Sequence, residues 1–366
     1  MKSRKCIHFI AGARPNFMKI APIYKRLKRN SFLIPVFIHT GQHYDYCMSE
    51  AFLTQLGLPA PDDNLEVGSG PHGRQTAETM MRYEEAVLKD KPDLVLVVGD
   101  VNSTLACALV ASKLHIPVAH VEAGLRSFDR RMPEEVNRVL TDQISDFLFT
   151  TADQDKENLI REGISENKIH MVGNIMIESL IASGPMIRES RILSKYKLNE
   201  TKYVLLTLHR PSNVDDPTVF SRILNAIKKI AEKTDVLFPA HPRTRKRISE
   251  FGLVDASFSS RIHIIDPVAY YDFLSLQSHA TVVLTDSGGV QTETTYLRVP
   301  CLTLRENTEW TLTLHEGTNK LVGTDPERII KETEHISESF IKPVKLPKYW
   351  DNQVSERILD VLKHFF

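Results

Sequence analysis

PDLVLVVGDVNSTLACALVASKLHIPVAHVEAG, residues 92–124, decides the fold. Its Leu94–Val98 run is apolar without alternation, the pattern of a parallel strand covered on both faces. A helical stretch follows, then a second apolar run, Pro117–Val121. Strand, helix, strand at this spacing is a crossover unit, which makes the two strands parallel neighbours. Each run is closed by polar or flexible residues, Gly99-Asp100 and Glu122-Ala123-Gly124.

The same rhythm extends in both directions. Strands are expected at Cys6–Ala11, Ile34–His39, Phe147–Thr150 and Ile169–Val172. They resume at Val204–Leu208, Val236–Pro239, Ile262–Ile265, Thr281–Leu284 and Pro300–Leu304. A helix is expected over Asp216–Ala231, with Asp216 as cap and Pro217 in the first turn. Its Phe220, Ile223, Leu224 and Ile227 fall on one stripe. The rhythm lapses between Gly173 and Lys202, where Ser183-Gly184-Pro185 and the polar run Glu189–Asn199 mark a seam. The fold class is therefore α/β: two Rossmann-like, doubly wound parallel-sheet domains facing a central cleft. The expected boundaries are 1–175 for the first domain and 176–350 for the second. A final helix over 351–366, striped by Val354, Ile358, Val361 and Leu362, is expected to pack back across both.

Composition narrows the function classes. The 366 residues hold 46 Lys and Arg against 46 Asp and Glu, a balance that excludes nucleic-acid binding by bulk charge. With 42% hydrophobic and 25% charged residues the chain is globular, not disordered. Its longest apolar runs are too short to cross a bilayer. Met1–Lys5 is basic but leads into a strand, not a signal peptide. Four cysteines, at 6, 47, 107 and 301, form no CxxC pair, so reduced thiols and a cytoplasmic location are expected.

The chemically unusual residues gather where strands end, the place where open α/β sheets bind ligands. Gly12-Ala13-Arg14-Pro15 follows the first strand and Gly41-Gln42-His43 the second. His209-Arg210, His241-Pro242-Arg243 and Asp286-Ser287-Gly288-Gly289 hold matching places in the second half. Two glycines opening a helix let backbone N–H groups approach a phosphate. The same four residues also read as a tight turn with Ser287 capping the helix. No Walker loop and no GxGxxG is present. Arg14 and Lys19 flank the start of the first helix, where both could meet a diphosphate, although chemistry alone leaves Lys19 undecided; Lys25, Arg26, Lys28 and Arg29 read as a solvated face. Asp100, Glu122 and Glu134 form an acid set for proton transfer, and carboxylates gathered together repel. Alternatively, Glu134 or Glu135 simply suits a helix's first turn after Pro133. His120-Val121-Glu122 matches half of a zinc-deaminase signature, but Leu304 stands where its second cysteine belongs. No HExxH occurs, so neither metal nor cofactor is expected.

Taken in order, these motifs resemble one family. Gly12-Ala13-Arg14-Pro15 with Lys19, Gly41-Gln42-His43, Gly99-Asp100, His120 through Arg126 and Pro133-Glu134-Glu135 with Asn137-Arg138 belong to the pattern. His209-Arg210 and Asp286-Ser287-Gly288-Gly289 with Gln291 and Glu293 complete it. Over residues 6–325 the chain resembles the non-hydrolysing UDP-N-acetylglucosamine 2-epimerases, and the HVEAGLR and DSGG blocks are the most specific. The resemblance implies a GT-B-like pair of domains and a UDP-sugar substrate. It also implies a homodimer and a role in making surface polysaccharide precursors.

It implies a chemistry as well. Carbon 2 of the sugar lies beside an acetal, so losing its proton gives no enolate. Elimination of UDP from C1 to a 2-acetamidoglucal, followed by re-addition with protonation on the other face, avoids that problem. By resemblance Asp100, Glu122 and Glu134 are the acid/base carboxylates, and His209 and Lys19 steady the departing UDP. Arg14, Ser287, Gly288 and Gly289 hold phosphates, Glu293 the ribose, and Phe273 lies by the uracil. His43, Arg138 and Arg210 complete the substrate contacts. Gln42, Arg74 and His241 fit the family's allosteric site, although Asp45 stands where that site has a glutamine. Thr308-Glu309-Trp310-Thr311 replaces the common Thr-Glu-Arg-Pro, and His209-Arg210-Pro211 replaces His-Arg-Arg. These changes open the choice of sugar to a UDP-2,3-diacetamido-glucuronic acid. A hydrolysing epimerase, a GT-B glycosyltransferase and an inactive nucleotide-sugar sensor are the rival readings.

Overall fold

The computed structural model describes residues 4–41, 52–253, 260–338 and 345–366. The chain divides into two compact units, Met1–Ile181 with Lys348–Phe366, and Ala182–Pro347.

The first unit is built on seven parallel strands: β1 (Lys5–Ala11), β2 (Leu33–His39), β3 (Asp63–Asn64), β4 (Leu94–Val98), β5 (Val118–Ala123), β6 (Phe147–Thr150) and β7 (Ile169–Met171). Their order is β3-β2-β1-β4-β5-β6-β7. Every residue of β4 is buried, which accounts for its unbroken apolar run. Alternate positions serve opposite faces. Ile10, Ile38, Val95 and Val97 pack with Tyr83 and Val87 of the helix His72–Asp90 and with Cys107 and Ala108 of the helix Asn102–Lys113. On the other face Phe9 and Phe37 meet Tyr24 and Phe17 of the helix Arg14–Lys28.

The second unit holds β8 (Tyr203–Thr207), β9 (Asp235–Pro239), β10 (Ile262–Ile265), β11 (Val282–Thr285), β12 (Cys301–Thr303) and β13 (Asn319–Leu321). Their order is β10-β9-β8-β11-β12-β13, again all parallel. The helix Pro217–Ala231 buries Phe220, Ile223, Leu224 and Ile227 against this sheet, each worth about 1.5–3 kcal/mol of burial. Asp216 caps it by accepting from the Thr218 and Val219 amides at 2.8 and 3.2 Å.

The two sheets thus share one winding scheme. In each, the order reverses between the first strand and the fourth, β1/β4 and β8/β11, and a crevice opens beyond the strand ends at that point. The last helix, Val354–Phe365, is grouped with the first unit. There the Ser355 amide and hydroxyl donate to Glu178 at 2.7 and 2.5 Å, and Arg26 Nε donates to the Ser355 hydroxyl. No helix of the described residues is long and apolar enough to cross a membrane.

Candidate active site

At the β1/β4 reversal the chain turns through Gly12-Ala13 into the helix Arg14–Lys28. Asn16 pins that turn: its Oδ1 accepts from the Gly12 and Ala13 amides at 3.2 and 3.0 Å, and its Nδ2 donates to the Val98 carbonyl. One helical turn on, Lys19 is buried, with Nζ 2.5 Å from Glu122 Oε2. Gly99 follows β4 at φ +69°, and a Cβ there would lie 2.8 Å from Lys19 Nζ. Any larger residue at 99 would press on the Lys19–Glu122 pair.

Glu122 reaches Lys19 through an irregularity. Its φ is +70°, a left-handed conformation that costs a non-glycine residue of order 1 kcal/mol or more. The β5/β6 register shifts between Val121 and Ala123, so Glu122 is the extra residue of a bulge. Regular alternation would send Glu122 to the face shared by His120 and Val97. The bulge turns it instead toward the helix Arg14–Lys28. Its carboxylate is 1% exposed, and among the described residues Oε1 has no hydrogen-bond partner. Glu122 is thus a strained, buried acid that keeps one oxygen unbonded among the described residues.

Asp100 pairs with Arg138, Oδ2 to Nη2 at 2.8 Å, and remains 23% exposed. Asn137 Nδ2 donates to the Asp100 carbonyl at 3.0 Å. Both partners stand on the helix Pro133–Ile144, whose first turn carries Glu134 and Glu135. Those two acids differ. Glu135 is buried and accepts from the Ser127 amide and hydroxyl and the Phe128 amide, so it closes the preceding loop. Glu134 is half-buried and makes no such bond among the described residues. The repulsion expected among the three acids is relieved here, because Lys19 and Arg138 each neutralise one.

The second unit answers with a different device. Asp286 directly follows β11, wholly buried, and collects the donors of the loop after β8. The His209 amide (3.1 Å), the Arg210 amide (2.9 Å), Asn213 Nδ2 (3.2 Å) and His209 Nδ1 (2.9 Å) all reach its carboxylate. Burial would raise the Asp286 carboxyl, but the His209 ring and these backbone donors hold it below its ordinary value. The His209 side chain stays 45% exposed.

Next in the chain, Ser287 takes the N-cap position of the helix Gly288–Leu297 without its side chain capping the helix. Ser287 thus takes the cap position that one of its two sequence readings gave it, but without the side-chain bond. Gly288 is required by packing, since a Cβ there would lie 2.4 Å from Glu309 Oε1 and 3.0 Å from Trp310 Nε1. Gly289 faces open space, with nothing closer than the Ser287 hydroxyl at 4.0 Å. Burial opposes charge on Glu309, but Arg305 at 2.8 Å and Arg210 at 3.7 Å bring its carboxyl down to about 2. Glu293 is buried, accepting from the Tyr270 hydroxyl at 3.0 Å and Gln277 Nε2 at 2.7 Å.

The remaining sequence candidates scatter. Arg14 is exposed over the Phe52 ring, 4.8 Å from its centroid. Phe273 is partly buried against a cluster that includes Leu198, Tyr203 and Leu205. Arg74 is exposed on the helix His72–Asp90 in the first unit, and His241 caps the helix Pro242–Glu250 in the second. Gln42, His43 and Asp45 lie outside the described residues. Among the described residues no group of three or more His, Cys, Asp or Glu is arranged to hold a metal.

Asn16, Asp142, Glu309, Tyr270 and Gln277 are structural partners to which no sequence motif gives a role. One signal was available: Glu134, Arg138 and Asp142 recur every four residues and so share a helix face.

Comparison with known proteins gives a consistent result. A family model described as UDP-N-acetylglucosamine 2-epimerase matches residues 25–363. A UDP-N-acetylglucosamine 2-epimerase of Methanococcus maripaludis is 45% identical over 353 residues, 94% of this chain and 93% of the relative. A UDP-2,3-diacetamido-2,3-dideoxy-D-glucuronate 2-epimerase of Pseudomonas aeruginosa is 42% identical, covering 96% of this chain and 98% of its own. The crystal structure of Methanocaldococcus jannaschii UDP-GlcNAc 2-epimerase in complex with UDP-GlcNAc and UDP matches with a TM-score of 0.91 and 44% identity, over 98% of this chain and 99% of that one.

Proposed function

The chain belongs to the UDP-N-acetylglucosamine 2-epimerase family, and we propose that it is a non-hydrolysing isomerase acting on UDP-GlcNAc and UDP-ManNAc. The observation that carries this reading is the strained, buried Glu122, with Oε1 unpartnered among the described residues and Oε2 on Lys19, together with Asp100 on Arg138. Two carboxylates held by separate cations at the ends of β4 and β5 suit a reaction that moves a proton off one face of a carbon and onto the other.

The elimination needs no cofactor. The C2–H and C1–O bonds break, a C1=C2 double bond forms, and the electron pair of the C1–O bond leaves with UDP. Re-addition reverses each change with the proton delivered to the opposite face. Asp100, Glu122 and Glu134 share the proton transfers. Lys19 and His209 steady the departing diphosphate; its other contacts come from Arg14, Arg210, Ser287 and the N–H groups at Gly288 and Gly289. Glu293 has a carboxylate suited to ribose hydroxyls, and Phe273 supplies an apolar face for uracil.

A second substrate, a UDP-2,3-diacetamido uronic acid, has its own support. Trp310 stands in place of the family's arginine and is buried beside Gly288, and the Pseudomonas relative is named for such a substrate. Incubation with each UDP-sugar, followed by product analysis, decides the matter. An equilibrium with the C2 epimer supports this reading. Release of free sugar and UDP would establish a hydrolysing enzyme instead, and turnover only with an acceptor would establish a glycosyltransferase.

A further inference from the structure

His120 has no part in the roles above, yet it lies two residues before Glu122 and is wholly buried. Its Nε2 is 2.7 Å from the Gly99 carbonyl, an oxygen that can only accept. Its Nδ1 is 2.7 Å from Asp142 Oδ1. The second oxygen of Asp142 takes Arg126 Nη2 at 2.7 Å and the Gly124 amide at 3.1 Å. Asp142 therefore grips β5 on both sides of the bulge, through the His120 ring before Glu122 and the Gly124 amide after it. Burial would raise the Asp142 carboxyl, but His120 and Arg126 hold it below its ordinary value.

We infer that His120 is a positioning residue for the proposed epimerisation, with Asp142 as its anchor. One imidazole joins the three backbone segments that bear the acid set. It holds the carbonyl next to Asp100, stands on the strand that bears Glu122, and ties down the helix carrying Glu134 and Arg138. Glu122 in its left-handed conformation relaxes toward the opposite face if the grip on the bulge is lost, and its carboxylate then leaves Lys19. The inference rests on the proposed reaction.

The test compares His120→Leu, His120→Asn and Asp142→Asn with the parent, each shown folded by circular dichroism. For the folded variants kcat should fall about 10-fold for Asn at 120 and about 100-fold for Leu, as expected for misplaced acid–base groups. KM for the UDP-sugar and affinity for UDP should stay within about two-fold, since no nucleotide contact is touched. Adding Asp142→Asn to His120→Leu should cost less than about two-fold more, because the two act as one unit. If His120→Leu does not fold, the nearly isosteric Asp142→Asn carries the same kcat-against-KM expectation. Folded variants with unchanged kcat, or a loss confined to KM, would overturn the inference alone. A parent that turns over no UDP-sugar would overturn it together with the functional reading.

Discussion

The two sheets wind identically, but their strand ends are equipped for different work. Beyond β4 and β5, acids face cations: Glu122 meets Lys19 and Asp100 meets Arg138. Beyond β8 and β11, one buried acid, Asp286, gathers backbone and histidine donors beside a glycine pair opening a helix. The first arrangement suits moving protons and the second suits receiving an anion. Strand order fixes where a ligand can bind, and the residues at the strand ends decide what is done there.

The largest break in that comparison should come from the acids of the first sheet. Asp100→Asn or Glu122→Gln should lower kcat by about 10²–10⁴-fold while leaving UDP affinity near the parent value. Steady-state kinetics with calorimetric UDP binding checks both halves; a loss of UDP affinity matching the loss of kcat would erase the division of labour.

Asp286→Ala should do the reverse. It strands buried donors and should cost about 3–5 kcal/mol of stability, read in denaturant unfolding, together with weakened UDP binding.

The glycine pair sharpens the contrast further. Gly288→Ala should destabilise the second unit by about 1–3 kcal/mol, because its Cβ meets Glu309 and Trp310. Gly289→Ala should leave stability within about 1 kcal/mol, with any gain due to helix propensity, and should still weaken UDP. Equal effects at both positions would mean that packing, not phosphate, explains the pair.

The smallest effects concern acid stability, where one group in each unit acts with opposite sign. Glu309 in the second unit is depressed to about 2, so its stabilisation is present above about 4.5 and is lost as pH falls toward 2. Asp155 in the first unit is raised to about 6 by burial, against opposing hydrogen bonds from Thr151 and Ala152. Its folded state favours the proton, so that contribution is present below about 3.8 and is lost as pH rises through 6. Glu309→Gln should flatten the acid limb of a Tm–pH curve, whereas Asp155→Asn should flatten the limb between pH 4 and 7.

Much of this architecture was readable from periodicity. The apolar runs gave the principal strands because buried parallel strands need no polar face; Leu94–Val98 is the clearest case. What escaped was short or polar. β3 spans only Asp63–Asn64, and β13 is Asn319-Lys320-Leu321 at a sheet edge, where pairing with a neighbour replaces any hydrophobic signal. Asp100 and Glu122 stood out in the sequence by their place at the ends of apolar runs, although Glu122 lies inside β5 and Glu134 on a helix. Their partners left no such sign. Lys19 meets Glu122 only because of a bulge, and Asp142 meets His120 across 22 positions. Asp286 was legible as part of a turn, whereas its grip on His209 depends on β8 and β11 being neighbours.

On the proposed reaction, the first sheet's acids exchange the proton at C2 of a UDP-sugar. Proton NMR in deuterium oxide, with UDP-GlcNAc and UDP-2,3-diacetamido-glucuronic acid as substrates and no acceptor, tests it most directly. Deuterium is expected at C2 of both epimers in an equilibrating mixture, with incorporation slowed about 10²–10⁴-fold by Asp100→Asn. Epimer formation with the C2 proton retained, or exchange that survives Asp100→Asn at the parent rate, would contradict it.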